Sequence, residues 1–264
     1  MSFIGQELIV EEMLGFVDRI RKGENYNFLI TAPSGYGKND FTYRICNLIT
    51  GDMNKVVLYK PKQELEFLTG YRVHIFDEVH KFNTPEQLYP YMDANRFVIF
   101  LLTNEKGELL EPLVNRCIHF SFRDYTEKEI TLIVKETFES KLVFLPDNLC
   151  AVIARESNLN PRVAKKDIGD RLVNLFDLHG LPTTEKELLY YLETYLGIVN
   201  GLNSDCRKYL DFLRKRDKCS LDLLSNAIQL EKEYIKRQIE PLLVRRGLID
   251  ITSRGRSISK IGEL

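Results

Sequence analysis

LITAPSGYGKND, residues 29–40, reads as the end of an apolar strand, a glycine-bearing turn and the first turn of a helix. This arrangement suits a phosphate-binding loop. Glycines let backbone N–H groups approach anionic oxygens closely, and the helix that follows turns its positive end towards them. Gly35, Gly37 and Lys38 sit where a phosphate-binding loop would put them, Gly37 and Lys38 being the G-K of the G-x-x-x-x-G-K-[ST] pattern, and the lysine would reach the β- and γ-phosphates. Two positions depart from the pattern: Ala32 occupies the first glycine position, and Asn39 replaces the Ser or Thr whose hydroxyl completes a magnesium shell. The stretch therefore nominates Pro33, Ser34, Gly35, Tyr36, Gly37, Lys38, Asn39 and Asp40 as nucleotide-binding residues, with Asn39 also a candidate metal ligand.

A second segment fits the first. HIFDEVHKF, residues 74–82, is an apolar run ending in Asp77-Glu78. In a parallel sheet the carboxyl ends of the strands face the ligand crevice. Asp77 is placed to organise magnesium through water, and Glu78 to orient or deprotonate the attacking water. The next apolar run ends in FLLTN, which puts Asn104 beside the same crevice with an amide able to hold that water. A G-x-G-K alone is a weak signal, as a tight turn explains it equally well; with an apolar-DE strand end following in order, it points to an ATP site with Mg2+.

Outward from these segments the chain divides in three. Glu7–Arg21 is an amphipathic helix with Leu8, Met13, Phe16, Val17 and Ile20 on one side, and strands are expected at 27–31, 55–59, 71–76, 96–102 and 116–122 with a helix at 40–49. Strands separated by helical stretches imply a parallel α/β sheet in residues 1–125. Residues 126–195 read as helices, opened by Thr126 and Glu129 as a capping box and later by Thr184 and Glu187 as another. Residues 196–264 give three helices and then strand, turn, strand around Ser253-Arg254-Gly255-Arg256, the order of a winged helix-turn-helix.

The bulk numbers narrow the class. With 264 residues, 44% hydrophobic and 28% charged, the chain has an ordinary globular balance. Five scattered cysteines without a C-x-x-C pair, and four histidines away from ligand spacing, argue for reduced thiols in a cytoplasmic protein and against zinc. Neither a secretory leader nor an apolar run of membrane-spanning length is visible, so no membrane partner is expected. The net charge of −1 is uneven. From Asn203 to Leu264 there are 14 Lys and Arg against 9 Asp and Glu, a net of +5 on a remainder of −6, which suits a polyanion-binding C-terminal module.

Taken in order, FIGQELIVEEMLGFVDR, APSGYGK, IFDEVHKF, LYPYMD, LLTNEKGELLEPLVNRC and NPRVAKKDIGDRL resemble RuvB, the AAA+ ATPase family of Holliday-junction branch migration, and IEPLLVRRGLIDITSRGR resembles its winged helix. The resemblance covers nearly the whole chain. It implies an AAA+ P-loop domain, a helical lid and a C-terminal winged-helix domain, assembled as a homo-oligomeric, hexameric ring on duplex or junction DNA. It also implies that Phe3, Ile4, Gly5 and Gln6 lie by the adenine, that Arg116 reaches the neighbouring subunit's γ-phosphate, that Arg162 senses nucleotide from the lid, and that Arg254 and Arg256 contact DNA from the wing. A guanidinium fork suits each of these tasks.

Two departures qualify the expectation. Asn39 puts hydrolysis, rather than binding, in question, because a carboxamide fits a magnesium octahedron less well than a hydroxyl. In the family a β-hairpin that docks the partner RuvA lies between the segments matching LYPYMD and RFVIFLL; here Asp93 is followed almost at once by the strand, so RuvA is not expected to be used in the usual way. Three readings remain: an ATP-driven DNA motor, a nucleotide switch that loads another replication or recombination protein, and a non-hydrolysing DNA-binding assembly factor.

Overall fold

Five short strands, β1 (Asn27–Thr31), β2 (Val56–Tyr59), β3 (Val73–Phe76), β4 (Val98–Thr103) and β5 (Ile118–Ser121), build the sheet that organises the first part of the chain. Their order is β2-β3-β4-β1-β5 and every pairing is parallel. The computed structural model describes residues 3–61, 66–216 and 218–259, which fall into two compact units, Met1–Asp170 and Arg171–Leu264. Parallel strands need crossovers, and these put helices over both sheet faces. Of the three inner strands, β3 and β4 are accordingly buried along their whole length, and their sequences, VHIF and VIFLLT, are almost continuously apolar.

Around the sheet of the first unit lie α1 (Glu7–Arg21), α2 (Lys38–Thr50), α3 (Tyr89–Asp93), α4 (Glu111–Val114), α5 (Glu127–Glu139) and α6 (Asp147–Glu156), followed by a π-helical segment, Val163–Asp170. In α1 the buried positions are Val10, Met13, Val17 and Ile20, while Phe16 packs its ring against Tyr26 and Phe28. Leu8, expected on this face, is 81% exposed: it stands five residues before Met13, about 140° away around the helix. The capping box opening α5 is complete, with Thr126 accepting from the Glu129 N–H at 3.3 Å and the Glu129 carboxylate accepting from the Thr126 N–H at 2.8 Å. The Arg123 fork on the same carboxylate, more than the cap itself, holds its pKa down to about 2.

The second unit holds α7 (Arg171–His179), α8 (Glu185–Tyr191), α9 (Ser204–Arg214), α10 (Leu221–Ile228), α11 (Lys232–Tyr234) and α12 (Glu240–Arg245), then the antiparallel pair β6 (Ile249–Thr252) and β7 (Gly255–Ile258). At α8 the expected capping box is half made. Thr184 accepts from the Glu187 N–H, but the Glu187 carboxylate turns to the N–H and hydroxyl of Thr183. The α9–β7 part packs on Tyr209, Leu213, Leu224, Ile235, Ile239 and Leu243. α11 and α12 run on from each other through a π-helical turn, Ile235–Ile239, so three helical stretches precede a two-stranded hairpin with a two-residue turn, Ser253-Arg254. A third short pairing fixes β7 in place: Arg256 and Cys219 exchange both backbone hydrogen bonds, at 2.9 and 3.0 Å. Gly255 is required there, because its φ is +126° and a Cβ would meet the Cys219 carbonyl at 2.6 Å.

Beneath the hairpin sits an ion pair. Arg256 donates from Nε to Glu240 Oε1 at 2.7 Å and from Nη2 to Oε2 at 3.3 Å, and the Tyr209 hydroxyl donates to the same Oε1 at 3.1 Å. The side chains of Arg256 and Glu240 are only 15% and 7% exposed. Removing one partner of such a pair strands a buried charge, which costs far more than the pair itself contributes. Arg256→Ala is expected to lower the stability of the chain by about 3 kcal/mol, and adding Glu240→Leu to recover most of it. Denaturant unfolding followed by circular dichroism measures this; a loss below about 1 kcal/mol for Arg256→Ala would contradict it.

Candidate functional site

The loop after β1 shows why glycines stand where they do. Gly35 and Gly37 have φ of +86° and +91°, and a Cβ on Gly35 would meet Asn160 Oδ1 at 2.4 Å. Gly37 caps α2, whose first turn then carries Lys38, Asn39 and Asp40. Lys38 is buried and its Nζ donates to the carbonyl of Ala32 at 2.8 Å. Burial lowers the pKa of its ammonium, and the carboxylates of Glu78 and Asp77 work in the opposite direction.

Strand order brings the second segment to the loop. β3 is two strands from β1, a gap of about 10 Å, with β4 between them. The first turn of α2 spans that gap: Asn39 Nδ2 donates to Asp77 Oδ2 at 2.9 Å. The substituted loop residue and the candidate metal carboxylate are therefore directly joined, leaving the Asn39 carboxamide oxygen and Asp77 Oδ1 without a part in that bond. Glu78 follows with φ of +52°, a left-handed backbone uncommon outside glycine and costing of order 1 kcal/mol. Its carboxylate lies 3.2 Å from Lys81 Nζ.

These groups open on one cavity of about 1020 Å3. Among the sequence-derived candidates, Phe3, Ile4, Ser34, Gly35, Tyr36, Gly37, Lys38, Asn39, Asp40, Asp77, Glu78 and Arg162 line it. The volume is at the upper end of the ~300–1,000 Å3 typical of ligand clefts. The N-terminal segment is stitched down by Gln6, whose side chain exchanges hydrogen bonds with the Arg123 backbone at 3.0 and 3.2 Å. Phe3 packs edge-on against Phe41 and Phe122.

Other candidates stand elsewhere. Pro33 and Asn104 are exposed and do not line the cavity. Arg116 is also outside it. Its Nε and Nη2 donate to the two oxygens of Asp93 at 2.8 and 3.2 Å, its Nη1 donates to the Pro112 carbonyl, and its guanidinium lies 4.5 Å over the Tyr89 ring. Of the two wing arginines, Arg254 is exposed in the turn, whereas Arg256 is folded inward onto Glu240.

Asn160 was not legible as a site residue. Its Oδ1 accepts from the Arg162 N–H at 3.0 Å, its Nδ2 donates to the Ser34 carbonyl at 3.0 Å, and the Arg162 N–H also reaches the Gly35 carbonyl at 3.2 Å. The one sequence signal was the Asn-Pro step in LNPR, which marks a turn but not its partner. Lys165 and Lys166, exposed on the cavity wall beside Arg162, were likewise unassigned.

The model of the RuvB C-terminal winged helix domain matches residues 199–263. Across 99% of the chain and 94% of the relative, the Holliday junction branch migration complex subunit RuvB of Mycoplasma genitalium is 26% identical. The chain is thus similar to RuvB along nearly its whole length, and shorter than the aligned part of that relative. The RuvB subunit of Mesomycoplasma hyopneumoniae is also 26% identical, over 99% of the chain and 93% of the relative. The Mycoplasma genitalium alignment is 298 positions long, so at least 34 of them have no residue opposite in this chain of 264. The solved structure of the Thermotoga maritima RuvB Holliday junction branch migration motor shares the fold, with a TM-score of 0.83 at 22% identity over 98% of this chain and 94% of that one.

The Asn160 side chain ties the loop at Ser34 to the Arg162 backbone through two hydrogen bonds, one to each, of about 1 kcal/mol apiece. Asn160→Ala is expected to weaken binding of a nucleoside triphosphate by about five- to tenfold. Titration with a fluorescent ATP analogue reads this directly; unchanged affinity would show that the clamp does not shape the loop.

Proposed function

We propose that this chain is an ATP-driven, RuvB-like AAA+ motor acting on duplex or junction DNA as a homo-oligomeric, hexameric ring, with hydrolysis slowed by Asn39. One observation carries the nucleotide part: three segments far apart in sequence, Ser34–Asp40, Asp77-Glu78 and Arg162, line a single cavity at the carboxyl edge of a parallel sheet. The relatives named above supply the DNA task.

The chemistry follows from the side chains. Backbone N–H groups of the loop and the amino end of α2 hold the phosphates, with Phe3 and Ile4 beside the base. Lys38 exchanges the Ala32 carbonyl for phosphate oxygen, an exchange favoured because the carbonyl only partly compensates a buried ammonium. Glu78 accepts the proton of the attacking water, and Arg162 meets the phosphates from the lid side with Lys165 and Lys166 behind it. Asp77 and the carboxamide oxygen of Asn39 form a hard-oxygen donor pair suited to Mg2+, which when bound neutralises charge on the β- and γ-phosphates. Asn39 must hold that geometry while its Nδ2 stays on Asp77, a longer reach than a hydroxyl needs. Arg116 acts on a neighbouring subunit's nucleotide after leaving Asp93, so assembly and hydrolysis are coupled. Asn104, at the end of the strand between β1 and β3, holds the water only once nucleotide draws the β4 end inward.

On the DNA side, Arg254 in the wing turn makes the phosphate contact, and Arg256 supports the wing from within through Glu240. The link from α3 to β4 is four residues, 94–97, too short for a RuvA-docking hairpin. Together with Asn39, this favours as a second reading a nucleotide switch that loads another replication or recombination protein.

Phosphate release in the presence of junction DNA tests the proposal. The chain should exceed Lys38→Ala, Glu78→Gln should abolish the excess, and Asn39→Thr should raise turnover by about three- to tenfold. Release equal to Lys38→Ala would overturn an ATPase role, and turnover without branch migration would favour the loader. In a parallel pull-down RuvA should not be retained; tight retention would overturn RuvA independence.

A further inference from the structure

Next to the carboxyl ends of β3 and β4, three side chains that do not line the nucleotide cavity converge. His80 comes from the turn after Glu78, and Glu105 and Glu108 come from the turn after β4. Each offers one ligand atom, and these atoms lie within 4.8 Å of one another. The imidazole is 2% exposed. Its Nδ1 lies 2.8 Å from the Thr103 hydroxyl, which also accepts from the Glu105 N–H at 3.0 Å. Its Nε2 is buried with no hydrogen-bond partner, although it stands 3.5 Å from Glu78 Oε2 and 3.8 Å from Glu105 Oε1.

A buried ring nitrogen aimed at carboxylates, yet hydrogen-bonded to none, is costly unless something positive joins them. A single proton on Nε2 serves two acceptors at these distances poorly. A metal ion serves them well. The geometry points to a site for one divalent transition-metal ion, of the Zn2+ or Co2+ type, held by His80 Nε2 and the carboxylates of Glu105 and Glu108. Ligand atoms around a tetrahedral ion at ~2.0–2.2 Å stand about 3.4 Å apart, so atoms within 4.8 Å of one another need to close by at most about 1.4 Å. Both carboxylates are carried by surface side chains, where rotation makes that adjustment: Glu105 is 37% exposed and Glu108 is exposed. The Nδ1–Thr103 contact orients the ring in the way metal-bound imidazoles are usually oriented. Imidazole nitrogen selects this class of ion over Mg2+, which separates the site from the one at Asp77 and Asn39.

Glu78 lies within reach of the same ion, so occupancy draws its carboxylate towards His80 and slows hydrolysis. This consequence rests on the nucleotide reading; the site itself does not, and the test therefore omits nucleotide. Isothermal titration of the full chain with ZnCl2 alone, in excess magnesium, is expected to show one ion per chain. The double substitution Glu105→Gln with Glu108→Gln should weaken binding at least about tenfold while leaving the melting temperature near that of the unmodified chain. His80→Ala should do the same where it folds; the glutamine pair decides the matter if it does not. No binding, or binding weakened less than about tenfold in the glutamine pair, overturns the site, including the case in which cysteine thiols take the ion.

Discussion

The parallel pairing of β1 with β4, which sets Thr31 opposite Thr103, is the constraint on which the nucleotide unit depends. It places one strand between the phosphate loop and the Asp77-Glu78 strand end, and it ends all of them on one sheet edge. The loop cannot reach β3 by itself. The first turn of α2 makes the reach, and the Asn39–Asp77 hydrogen bond is where the two halves of the site touch. The same residue that departs from the phosphate-loop pattern therefore ties the site together.

This changes the meaning of the substitution. A hydroxyl at position 39 would offer a compact oxygen to a cation. The carboxamide divides its two ends, giving a donor to Asp77 and leaving an oxygen for the ion. The loop keeps its glycine conformations, its buried lysine and the Asn160 clamp. Under the proposed function the substitution therefore touches the metal shell rather than the groups that would hold phosphate, and binding and hydrolysis would rest on different atoms.

Local chemistry made much of this legible. The strand, turn and helix of residues 29–40 are where glycine, lysine and apolar spacing require them, and α1 spans the residues its periodicity indicates. Long-range partners were not legible. Nothing near Arg116 in sequence announces Asp93, and nothing in LNPR announces Ser34, because those bonds are set by the tertiary fold. Arg254 and Arg256 look equivalent in SRGR, yet one stands in a two-residue turn and the other at the start of a strand over Glu240. Leu8 misled for the opposite reason: an apolar residue on an amphipathic helix need not join its buried stripe.

The central claim is that Asn39 detunes the metal shell while the phosphate loop remains competent. ATP affinity measured with magnesium and then with EDTA, in the unmodified chain and in Asn39→Thr, tests it most directly. The unmodified chain should lose less than about threefold affinity when magnesium is removed, and Asn39→Thr about tenfold or more because its hydroxyl completes the shell. Equal dependence on magnesium in the two proteins would contradict it.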